Sequence, residues 1–234
     1  METMSITEVG IYTVEDLHAY REQREDMTVQ LIDGELIWSP SPGVAHQVVS
    51  GELVFLLSAA LPPDLRVLAA PLDLRVGERT VVQPDLMVVP RSLVEGSEVE
   101  DPPVLAVEIL SPSSRRTDLV RKPEVLGRFG VEHYWVVDPL HPAIRVFRLV
   151  GETYQSGQVV GGDDLFETKV PFSVRFRPAD LGDPAIARPA TGGRRGSVAD
   201  GWLSHSTTHS PVRWGRCSAG AWRCTRSLTA TTAH

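Results

Sequence analysis

The stretch Val104-Leu105-Ala106-Val107-Glu108-Ile109-Leu110 sharply limits the folds open to this chain. In a strand, alternate residues share a face. Val104, Ala106, Glu108 and Leu110 fall on one face, and Leu105, Val107 and Ile109 on the other. Both faces are apolar, which predicts a strand covered on both sides, as in an α/β sheet. Glu108 then needs water, a cation or a hydrogen-bond donor, because an unpaired carboxylate is costly to bury or becomes protonated. Two readings follow. Glu108 is a strand-end residue satisfied by backbone amides or an arginine, or it is a carboxylate kept to meet a bound cation.

The chain has 234 residues, 42% of them hydrophobic, enough for one substantial core and one or two domains. No run approaches the ~18 apolar residues of a membrane helix, and the N-terminus lacks a signal-peptide pattern. The only cysteines are Cys217 and Cys224, so a disulfide scaffold is excluded and a cytoplasmic location is expected. The net charge of −7 is uneven: residues 1–182 carry 16 basic and 28 acidic side chains, whereas residues 183–234 carry seven Arg and two Asp. So acidic a body is not a general electrostatic binder of nucleic acid. Contact with phosphates requires a local basic patch or bound cations.

Thr13-Val14-Glu15-Asp16 reads as a capping box, with Asp in the Glu/Gln place, opening a helix to about Arg24. Asp33-Gly34 between two apolar runs signals a type I′ hairpin. A helix is predicted from Val44 to Leu61, where Pro62-Pro63 stops it. Strands are predicted at Arg66–Ala69, Leu72–Val76, Thr80–Val82, Asp85–Val89 and Val104–Leu110, with 90–102 as loop. A helix over 115–129 and strands at Tyr134–Val137 and Ile144–Leu149 follow, with short β pieces to about Arg177. After Asp183 the sequence is rich in Arg, Gly, Ser, Thr and Trp, without periodicity. We expect residues 183–234 to be disordered or foreign to the folded body, as a frameshifted end would be. His205, His209, Cys217 and Cys224 in that segment lack the tight cysteine pairs of a zinc site.

Pro84-Asp85 opens one apolar strand, Glu108 lies inside the next central one, and Lys122 lies on the helix that follows. Two carboxylates on adjacent strands suit a hard divalent cation, which takes one or two carboxylates completed by water and substrate phosphate. The lysine can orient or help deprotonate an attacking water, or neutralise charge on a pentavalent phosphate. Asp118 reads as a helix N-terminal residue favourable to the dipole. Arg115, Arg116, Arg121 and Arg128 form either a phosphate-facing patch or a solvated basic helix.

Pro84-Asp85, Glu108-Ile109-Leu110-Ser111-Pro112, Asp118 with Lys122, and the run Gly130 to Pro139 together resemble the Uma-type restriction endonucleases of the PD-(D/E)XK nuclease superfamily. Asp33 to Ile37, Ser39-Pro40 and His46 fit the same family, so the resemblance spans about residues 13–182. It implies an α/β (α+β), restriction-endonuclease-like core: a mixed β-sheet flanked by helices, in the order αβββαβ, with an N-terminal helix and hairpin added. It also implies a nuclease-like domain over residues 1–182 and a metal-dependent endonuclease acting on DNA, with Mg²⁺, or alternatively Mn²⁺, as cofactor. Asp85 and Glu108 correspond to the metal carboxylates, with the Ile109 carbonyl as a further ligand. Lys122 takes the catalytic place, since the superfamily's usual lysine position holds Leu110. Glu35 matches an extra acidic ligand, and His46 a substrate or water contact. A homodimer is common among nucleases that cut both strands.

The chain departs from the family pattern at Pro123 and Gly127, both poor helix formers, and at Leu126, where an aromatic is usual. A helix starting near Lys122 would hold Pro123 in its tolerated first turn. These departures motivate a rival reading, a nuclease fold without catalysis that binds nucleic acid or regulates. The 183–234 segment motivates another, a damaged gene product.

Overall fold

The computed structural model describes residues 6–8, 10–23 and 27–182. After a short strand β1 (Ile6–Glu8), helix α1 (Val14–Gln23) opens on the expected capping box. The Thr13 N–H donates to Asp16 Oδ2 at 2.8 Å, and the Asp16 N–H donates to Thr13 Oγ1 at 3.4 Å. Arg24, its expected end, lies outside the described residues. Strands β2 (Met27–Ile32) and β3 (Glu35–Pro40) then form the hairpin. Asp33 and Gly34 both have positive φ, 52° and 81°, as a type I′ turn requires.

Helix α2 (Val44–Ala60) leads into β4 (Leu65–Ala69), β5 (Asp73–Gly77), β6 (Thr80–Val82), β7 (Leu86–Pro90), β8 (Glu98–Val99) and β9 (Leu105–Ile109). A π-helical turn, Thr117–Arg121, runs directly into α3 (Lys122–Phe129). The chain continues through β10 (His133–Asp138), β11 (Ala143–Val150), β12 (Thr153–Gly161), β13 (Phe166–Thr168) and β14 (Val174–Phe176).

Most strand ends shift by one residue from expectation, and three differences matter for the site and its surroundings. Asp85 immediately precedes β7 instead of opening it. The 90–102 segment contains a 3-10 turn at Arg91–Leu93 and the two-residue β8, which pairs in parallel with β5. The helix expected over 115–129 begins with the π turn.

Two six-stranded sheets result, in the orders β1-β3-β2-β6-β5-β8 and β12-β11-β10-β9-β7-β4, together with the β13–β14 pair. The second sheet is mixed: β9 is parallel to β10 and antiparallel to β7. Following α2, β4, β7, β9, α3 and β10 in chain order gives the αβββαβ core, with α3 as the crossover between the parallel strands. The fold is the expected α/β (α+β) arrangement, with the α1 helix and the β2–β3 hairpin as its N-terminal additions.

β9 is buried on both faces, and its alternation is the one its sequence spells. Leu105, Val107 and Ile109 pack with Val49, Leu53 and Leu57 of α2. Ala106 and Leu110 pack with Val125 and Leu126 of α3 and with Leu74 and Val82 of the other sheet. Glu108 shares the α3 face.

Candidate active site

β7 and β9 lie side by side, with Leu86 opposite Val107. The same register continued by one residue sets Asp85 beside Glu108. Asp85 is fixed by its surroundings: its Oδ2 accepts the Ile109 N–H at 2.7 Å and lies 3.1 Å from His46 Nε2 at the start of α2. A residue's N–H and C=O share one edge of a strand. The Ile109 carbonyl therefore faces the same edge as the amide that holds Asp85, while the Leu110 N–H turns to Val137 on the far side at 2.8 Å.

Lys122 is the centre of the charge arrangement. Its Nζ donates to Glu108 Oε2 at 2.8 Å and lies 3.1 Å from Asp118 Oδ1. It also reaches the Gln83 carbonyl at 3.4 Å. Glu108 and Asp118 are each 1% exposed and Lys122 is 3% exposed. Burial, with the charges of Asp118 and Asp85 added, pushes the Glu108 carboxyl well above the usual range, although Lys122 pulls it back. Burial likewise raises Asp118. Burial alone would lower Lys122, but the carboxylates of Asp118, Glu108 and Asp85 outweigh it and hold the ammonium charged. For His46 too, the Asp85 hydrogen bond and charge outweigh burial, so the imidazole lies above its ordinary value.

The departures at Pro123 and Gly127 have packing reasons. Pro123 lacks an N–H, and inside an α-helix its ring would strike the carbonyl four residues back. Here the preceding turn is widened: the Lys122 N–H reaches back five residues to the Thr117 carbonyl. Tyr134 clasps that turn, its hydroxyl donating to the Asp118 carbonyl at 2.6 Å. Gly127 faces the β11–β12 hairpin, where a Cβ would lie 2.9 Å from the Glu152 carbonyl oxygen. Leu126 is fully buried in place of the aromatic. Lys122 thus points toward Glu108 and Asp118.

Asp85, Glu108, Asp118, Lys122 and His46 all line one cavity of about 640 Å³, bounded also by the Ser39–Gly43 loop, Ala70-Pro71 and Ser111–Ser114. Glu35 is not part of this wall; its Oε2 lies 2.8 Å from Arg121 Nη2. Three of the four helix arginines are ion-paired, with Arg115 and Arg128 still exposed. Arg115 pairs with Asp138, Arg121 with Glu35 and Arg128 with Asp33. The sequence reading left the place of two cavity residues unseen. Asp118, read from sequence as a helix N-terminal residue, is a second buried carboxylate beside Glu108. Gln83 is pinned by its N–H to Gln30 Oε1 and by its side chain to Asp73, both at 2.8 Å, and no short motif marks it. His205, His209, Cys217 and Cys224 lie outside the described residues.

The donor set fits a hard divalent cation. Glu108 Oε1 is buried without a hydrogen-bond partner, and both contacts to Asp85 fall on its Oδ2. Among the described residues no three His, Cys, Asp or Glu side chains converge as a closed cage.

No helix among the described residues is long and apolar enough to cross a membrane. No curated protein gives a significant match to the chain. Among solved structures, the chain resembles one described as "a putative nuclease belonging to DUF820" from Anabaena variabilis ATCC 29413. The TM-score is 0.55 at 23% identity, over 68% of this chain and 90% of that one, which supports a shared fold. The family model described as "Uma2: Putative restriction endonuclease" matches residues 14–177, and the chain therefore belongs to the Uma2 family.

Proposed function

We propose that this protein is a metal-dependent endonuclease that hydrolyses DNA phosphodiester bonds. The observation that carries the reading is the cavity floor: two carboxylates on adjacent strands, one with a free buried oxygen, beside a charged lysine. Asp85 and Glu108, with the Ile109 carbonyl, would hold Mg²⁺ or Mn²⁺. Such an ion supplies Lewis acidity toward the phosphodiester when bound. Membership of Uma2 supports a nucleic-acid substrate.

The remaining work falls to the chain's own groups. Lys122, kept protonated by its carboxylate neighbours, serves as a fixed positive charge beside the phosphate and as a donor that orients the attacking water. Its raised pKa argues against a role as general base. Asp118 holds the Lys122 side chain from the opposite side. His46 braces Asp85 through Nε2, while its Nδ1 is buried without a hydrogen-bond partner in the fold. Glu35 acts from outside the cavity, through Arg121 on the π turn that carries Asp118.

The test is nicking of circular DNA, single-stranded and supercoiled, by the full chain with Mg²⁺, Mn²⁺ or EDTA. Metal-dependent nicking that vanishes in Asp85→Ala, with the fold retained, is expected. Undiminished nicking by Asp85→Ala would overturn the assignment.

A further inference from the structure

We infer that the cavity accepts an unpaired DNA strand and excludes an intact duplex. The inference rests on the nuclease reading of the same site and adds its substrate class.

The first observation is depth. Glu108, Asp118 and Lys122 are almost wholly buried. A duplex carries its phosphates on a stiff convex surface and meets the rim of such a cavity, not its floor. A flexible single strand, or a nucleotide turned out of its stack, can enter. The volume, about 640 Å³, is in the range of pockets that enclose a small ligand.

The second observation is charge. Duplex affinity comes mainly from neutralising several phosphates with Lys and Arg. Among the described residues, the basic side chains in the cavity wall are Lys122 and His46, and His46 is engaged with Asp85. Three of the four arginines on the neighbouring helical segment are committed to Asp138, Glu35 and Asp33.

The third observation is the chemistry of the wall. Gln47 and Ser50 present uncharged donors and acceptors, the kind that read the edges of an exposed base, while Gln30, Ser111 and Ser114 are held by hydrogen bonds within the fold. Pro40, Pro42, Pro71 and Pro112 give the same wall a stiff apolar component against which a base can pack.

The experiment uses the full chain with Mn²⁺ and one labelled DNA sequence in three forms: single-stranded, fully paired, and paired with a short mismatch bubble. The single strand and the bubble should be cut at least about tenfold faster than the duplex, with bubble cuts inside the unpaired region. Duplex cutting at an equal or greater rate overturns the inference. Binding by fluorescence anisotropy in EDTA separates this outcome from failure of the nuclease reading. Single-strand binding should exceed duplex binding, and Ser50→Trp, which fills the cavity from α2, should weaken it at least about tenfold with an unchanged melting temperature. If no form is cut but this binding pattern holds, the strand preference stands and the nuclease reading falls. Equal binding of both forms, binding of neither, or binding indifferent to Ser50→Trp overturns the preference itself.

Discussion

Lys122 sits between two buried carboxyl groups, which hold its ammonium charged although burial raises their own pKa values. Removing one member of a buried ionic group is expensive because the others stay behind without compensation. Lys122→Met should lower stability by about 3–5 kcal/mol in urea unfolding at neutral pH. Adding Glu108→Gln removes one stranded charge and should restore part of that loss. Simple additivity of the two changes would show that the contact carries little energy. His133 tests electrostatics away from the site. Burial, helped by Arg148 on the adjoining strand, lowers its pKa despite Glu132. The folded state thus favours the neutral ring. That stabilisation is full above the unfolded value, near pH 6.5, and is lost as pH falls toward the folded value. The urea midpoint should therefore fall less between pH 7.5 and 5 in His133→Gln than in the parent. At this scale Glu108 was legible because a carboxylate breaks an apolar period. Asp118 was not, since an aspartate near a helix start usually faces water, and only the tertiary fold turns it inward.

The helical segment from Thr117 to Phe129 shows where local propensity misleads. A glycine in a helix interior normally costs about 1 kcal/mol relative to alanine, so Gly127→Ala would stabilise an isolated helix. Here the added Cβ would meet a backbone carbonyl at 2.9 Å, and a backbone cannot swing aside as a side chain can. We expect Gly127→Ala to destabilise the protein by about 1–3 kcal/mol, read as a shift in urea midpoint. A stabilised variant would mean that the β11–β12 hairpin yields easily. Pro123 follows the same logic: the widened turn that admits it depends on residues from Thr117 onward and on Tyr134, which lies on a different strand. Elements governed by local chemistry were readable. The Thr13–Asp16 cap and the Asp33-Gly34 turn need only their own side chains and dihedrals. β8 was not readable, because two residues carry no period and its pairing with β5 is a tertiary event.

At the scale of the whole molecule, the strand order of the central sheet follows from a covered β9 and a helical crossover to β10, both visible as patterns. The division of the intervening strands was not visible: β4 and β7 join one sheet while β5, β6 and β8 join the other, a choice made by side-chain packing. The last part of the folded body is likewise set by packing. Phe166, Phe172, Val174, Phe176 and Leu181 all join the cluster beneath α2, so the core closes only with Leu181. We propose that residues 1–182 form the folding unit. A chain ending at Gly182 should then melt close to the full chain. One ending at Phe176 loses the buried Leu181 side chain, about 1.5–3 kcal/mol of apolar burial, and should melt about 3–10 °C lower. If the chain ending at Gly182 melts as low as the shorter one, residues beyond 182 contribute to the core and the boundary proposed here is wrong.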